Sequence, residues 1–192
     1  MDTYEEILAL LKSDQEISRS QIVEWMRSDN LKALGALYKL TVIAYNRIKP
    51  ELGMEASCEF ILNYFTRCIV ENPPTTGDYM YSRYEAGTIM SAWIKHLWNK
   101  RPATEKVLEK VRDTLAEVYL LGDKEVQGCI MSAVLEPVFM DKDMIVLFKG
   151  WKKRPYLRDA YDSALEYEKK KLQEIPDSIL QNILGKKVEG GN

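Results

Sequence analysis

Apolar positions recur along this chain at a spacing near 3.6, and no segment keeps the strict alternation of a half-buried strand. From Thr3 to Lys12 the leucines and Ile7 follow an acidic first turn, Glu5–Glu6, which suits a helix N-terminus. A second helix is predicted from about Ser18 to Arg27, with Ile22, Val23 and Met26 on one face. Asn30 caps a third, whose stripe runs from Leu31 through Leu34, Leu37 and Tyr38 to Tyr45 and is closed by Pro50 and Gly53. A fourth spans about Met54 to Val70. Two prolines and a glycine then argue against helix in Asn72–Ser82, the one long irregular segment. The fifth helix, about Arg83 to Lys100, ends before Pro102, and Thr104 caps a sixth that runs to Leu121. Gly122 is expected to stop it in the left-handed conformation. Asp123 caps a seventh helix, broken near Pro137, and Asp141 starts a short eighth that stops at Gly150. Pro155 opens a long charged ninth helix ending before Pro176, Asp177–Leu184 forms a last short one, and the rest frays.

Ten helices joined mostly by short turns define an all-α protein, with stacked antiparallel hairpins as the natural arrangement. The paired segments Thr104–Leu121 and Asp123–Met140 suggest a unit of roughly HEAT size, ~40 residues, with a compact helical bundle as the competing architecture. A single domain is expected over residues 1–185, with a flexible tail over 186–192.

Composition narrows the function classes. The 192 residues are 46% apolar and 29% charged, too apolar for a disordered chain. Lys plus Arg number 27 against 29 Asp plus Glu, a net charge of −2, and each half of the chain is separately near neutral. A dedicated nucleic-acid binder needs a basic excess, so that class is disfavoured. The acidic start lacks the features of a secretory signal, and no apolar run approaches the ~18 residues that cross a bilayer. Cys58, Cys68 and Cys129 are an odd number at wide spacing within apolar helical segments, which reads as small buried hydrophobes in a reducing cytoplasm.

Candidate chemistry is sparse. The single histidine, His96, has no Ser or Cys nucleophile placed to partner it, and Trp93 stands where a Glu-x-x-His metal motif needs its Glu. Glu55 and Glu59 form an i,i+4 carboxylate pair of the kind common on solvated helices. No phosphate-binding loop, nucleophile elbow or zinc-hydrolase motif is present. The expectation is a non-enzymatic protein with neither cofactor nor metal. The run Tyr79-Met-Tyr-Ser-Arg-Tyr84 is rich in residue types that anchor protein interfaces, and it lies in and just after the irregular segment. Asp78, Tyr79, Tyr81, Arg83 and Tyr84 are therefore candidate partner-binding residues, together with Trp151. Trp151 stands in Lys149-Gly-Trp-Lys-Lys-Arg-Pro155, whose cations carry an alternative reading as a nucleic-acid contact on a helical-repeat scaffold.

The stretch Leu121-Gly-Asp-Lys-Glu-Val-Gln-Gly-Cys-Ile-Met-Ser-Ala-Val-Leu-Glu-Pro-Val-Phe139, followed by Phe148-Lys-Gly-Trp-Lys-Lys-Arg-Pro-Tyr-Leu157, resembles parts of HEAT-like helical proteins. Some of these are bacterial immunity proteins of polymorphic toxin and contact-dependent growth inhibition systems. The likeness lies in the Gly122-Asp123 turn, the Pro137 position and the Gly150 turn into a last long helix, about a third of the chain. It implies a small acidic cytoplasmic protein that neutralises one cognate toxin by direct binding. A pI near 5.6 would complement a basic nuclease toxin and speed the encounter.

Overall fold

The computed structural model describes residues 2–75 and 80–173. The expected helix Asp177–Leu184 and the tail at 186–192 lie outside the described residues, as do Asp78 and Tyr79. The fold is all-α. Its helices are α1 (Thr3–Leu11), α2 (Arg19–Trp25), α3 (Leu31–Ile43), α4 (Met54–Glu71), α5 (Arg83–Asn99), α6 (Glu105–Leu121), α7 (Lys124–Cys129), α8 (Glu136–Phe139) and α9 (Pro155–Gln173). A π-helical segment, Ile130–Leu135, joins α7 to α8 without a break, and a 3-10 helix, Lys142–Lys153, precedes α9.

Local chemistry explains most of the boundaries. The Asn30 side chain accepts from the backbone N–H groups of Lys32 and Ala33, satisfying two donors that α3 leaves open. Ser82 and Glu85 form a reciprocal capping box at the start of α5. Asp123 caps α7 through the Val126 N–H, and Asp141 opens the 3-10 helix through the Asp143 N–H. At Asn72 the chain turns out of α4 through a left-handed residue, φ 44°, a conformation asparagine tolerates better than most side chains.

Several expectations need correction. Pro137 does not break the helix: it sits in the first turn of α8, directly after the wide π turn. That turn takes up the backbone mismatch a proline imposes on a regular helix. Gly122 does not stop α6 in the left-handed region; its backbone is extended, φ −77° and ψ 155°. Glycine is required there for space, because a Cβ would stand 2.5 Å from Val126 Cγ1 and 2.7 Å from the Val118 carbonyl oxygen. Gly150 does not end its helix either, since the 3-10 turns run on to Lys153. Thr104 occupies the capping position of α6, but its hydroxyl donates to the Leu97 carbonyl oxygen at 2.6 Å, tying the α5–α6 turn together. The third helix closes at Ile43, before Pro50, and Ile48–Lys49 then pair in parallel with Ile17–Ser18 as a two-residue ladder.

One apolar core runs through the described residues from Ile7 to Ala164. Its first part is aromatic, with Tyr38 of α3 stacked on Tyr64 of α4 and edge-on to Phe65. Its last part joins Phe139, Phe148, Trp151 and Tyr161. Between them, Gly87 lets α5 approach the π segment so closely that a Cβ there would lie 2.8 Å from Ala133 Cβ. Three buried free cysteines complete the interior, as expected of small apolar side chains.

Candidate binding surface

From α4 onward the chain forms successive helical hairpins: α4 with α5, α6 with the α7–α8 segment, and the 3-10 helix with α9. Corresponding members run side by side in the same direction. Lys110 of α6 donates to Glu59 of α4, pairing the beginnings of those two helices. The Cys129 thiol donates to the Arg83 carbonyl oxygen at 3.2 Å, and Gly87 packs on Ala133, which sets α7 and the π segment parallel to α5. Trp151 meets Tyr119 with ring centroids 6.1 Å apart, so the 3-10 helix follows α6. Parallel stacking of hairpins places their turns on one edge of the molecule. That edge gathers the segment after Asn72, the Gly122-Asp123 turn and the Arg154 turn.

The residues expected to bind a partner divide sharply. Tyr81 folds inward, with its ring 5.6 Å from Phe65 and 6.1 Å from Tyr38. Arg83 closes the exit of α4, donating through Nε to the Ile69 carbonyl oxygen at 2.7 Å and through Nη2 to that of Val70 at 3.2 Å. Its role on the page is to satisfy the carbonyls that end a helix. Trp151 is a correction, because it is only 2% exposed and packs edge-on to Phe148, which leaves no face for a partner or a nucleobase. Tyr84 alone among the described candidates presents a largely free ring, 48% exposed.

The edge also carries residues that sequence reasoning missed. Tyr119, Leu120, Gln127, Pro155, Tyr156 and Asp159 line a groove of about 670 Å³ between the second and third hairpins. Leu121, at 88% exposed, and Tyr156, at 79%, are the two most exposed large apolar side chains among the described residues. A signal for them existed in α6. Leu108, Val111, Leu115 and Val118 step by three or four along the buried stripe, and Leu120 and Leu121 fall off it. Within the groove, partial burial raises the Tyr119 hydroxyl above its ordinary range, and the nearby Asp159 carboxylate adds to the shift. Beside the groove, Lys149, Lys152, Lys153 and Arg154 are all exposed. The three lysines make no ion pair among the described residues.

Elsewhere the geometry assembles little chemistry. His96 is exposed on α5, and Ser91 is buried with its hydroxyl donating to the Thr88 carbonyl oxygen. Glu55 and Glu59 are exposed at the mouth of a small cleft of about 160 Å³ that also takes in Cys58, Lys106 and Lys110. Among the described residues no group of three or more His, Cys, Asp or Glu side chains is placed to hold a metal. No described helix is long and apolar enough to cross a membrane. No family model matches this chain, and neither a curated protein nor a solved structure matches it.

Proposed function

We propose that this protein is a non-enzymatic binding module, a HEAT-like immunity protein of the cytoplasm that neutralises a cognate toxin by holding it on the edge formed by the hairpin turns. The observation that carries the binding role is the pair Leu121 and Tyr156, both strongly exposed and flanking one groove. Scattered exposed apolar residues are ordinary, but two on neighbouring turns beside a shaped cleft mark a contact surface. Tyrosine and an aliphatic anchor at the centre of a patch supply most of the energy in interfaces of this kind. The toxin as partner rests on the resemblance of residues 121–157 to immunity proteins.

The test is co-expression with the toxin domain encoded immediately upstream. A stable 1:1 complex and rescue of growth are expected, and Leu121→Asp with Tyr156→Asp should abolish both while the protein stays folded. Absence of a toxin or large exoprotein gene at that position, or growth that the chain does not rescue, overturns the immunity reading. The alternative as a nucleic-acid-binding scaffold draws on the unpaired Lys149, Lys152 and Lys153. It loses its stacking residue, because Trp151 is buried.

A further inference from the structure

We infer that the segment received by the groove between the second and third hairpins is an acidic stretch of polypeptide carrying one large apolar anchor. This rests on reading the edge as a partner surface, and it adds the chemistry of what docks there. The ten residues from Lys149 to Arg158 hold five cations and no carboxylate. All five are exposed, and they border the groove through its own lining residues, Pro155 and Tyr156.

Part of this charge is already used. Arg158 donates through Nε to the Lys152 carbonyl oxygen at 3.0 Å, and Arg154 lies close enough to Asp113 to lower its acidity constant further below the carboxylate range, after the stronger hydrogen bond from Arg112. Lys149, Lys152 and Lys153 have no such counter-charge among the described residues. Three uncompensated ammonium groups beside an apolar cleft complement carboxylates that flank an apolar side chain. Such complementarity acts chiefly on encounter rate and selectivity, while the apolar anchor supplies affinity. Polyanions of the nucleic-acid kind fit less well. A phosphate chain laid along the lysines would meet the Asp159 carboxylate in the groove, and Leu120 and Leu121 offer a base neither a hydrogen bond nor a ring. The whole-molecule charge of −2 therefore conceals a cationic contact site.

The test uses the full chain and two fluorescent helical peptides of about four turns. Both carry the same Leu and Phe face; one is flanked by Glu and its twin by Lys. Anisotropy should show the acidic peptide binding at least about tenfold more tightly, with an advantage that shrinks as salt rises. Lys152→Glu with Lys153→Glu should reverse the preference, and Tyr156→Ala should weaken both peptides. If neither peptide binds, or if charge reversal leaves the preference unchanged, the inference is overturned. A single-stranded oligonucleotide that binds more tightly than the acidic peptide overturns it as well. The same variants assayed on the toxin complex separate the two readings. Loss of the complex with Tyr156→Asp but not with the lysine reversals removes the acidic segment and keeps the binding module, whereas a complex indifferent to every edge variant removes both.

Discussion

Trp151 and Tyr156 stand five positions apart and do opposite work. Trp151 fills the core between Phe148 and Tyr119, while Tyr156 stands 79% exposed at the groove. Trp151→Ala should lower unfolding free energy by about 3–5 kcal/mol, the usual cost of emptying an aromatic site. Tyr156→Ala should stay within about 0.5 kcal/mol, as exposed substitutions do. Denaturant titration of the two variants checks both values. The thiols add a pH dependence. Burial pushes Cys68 and Cys129 up to about 11 from an ordinary value near 9, so the folded state favours their neutral form. The stability they contribute is fully present below pH ~9 and is lost as pH rises through ~11. Replacing both by Ala should flatten the alkaline fall in melting temperature across that window.

At the scale of elements, the Gly122-Asp123 turn is the most constrained junction. A Cβ at Gly122 would collide with Val126 and with the Val118 carbonyl, both fixed by α6 and α7. Gly122→Val should therefore cost more than about 2 kcal/mol and loosen the groove, whereas Gly150→Ala, with nothing within 4 Å of its Cβ, should be near neutral. Thermal melts of the two variants distinguish them. The same turn shows what the sequence makes legible. Periodicity and capping residues place nearly every helix, because Asn30, Ser82, Asp123 and Asp141 act within three or four positions of themselves. The reason Gly122 must be glycine is a contact with Val126 in the next helix, which no local rule contains. Pro137 misleads for a related reason: its cost is absorbed by a π turn that leaves no mark in the residue pattern. The site was half legible. The cationic run and Tyr84 were visible, but the burial of Trp151 and Tyr81 and the meeting of Leu121 with Tyr156 depend on which hairpins stack.

For the whole molecule, the α6–α8 hairpin has a neighbour on each side, α4–α5 and the 3-10 helix with α9, whereas the last hairpin leans on one. Stability in such stacks is close to a sum of hairpin terms and nearest-neighbour couplings. Native-state hydrogen exchange should find the α5, α6 and α7 amides slowest and those of the 3-10 helix and α9 faster, opening as a unit. Uniform protection across the chain would show a fully cooperative bundle instead. The alignment of three hairpin turns along one edge has a further consequence. Core and contact surface draw on different residues, so the edge is free to change its chemistry while the stack beneath it stays intact. Apart from Gly122, the turn positions form a natural grafting site, where loops exchanged between related chains would carry partner choice with them.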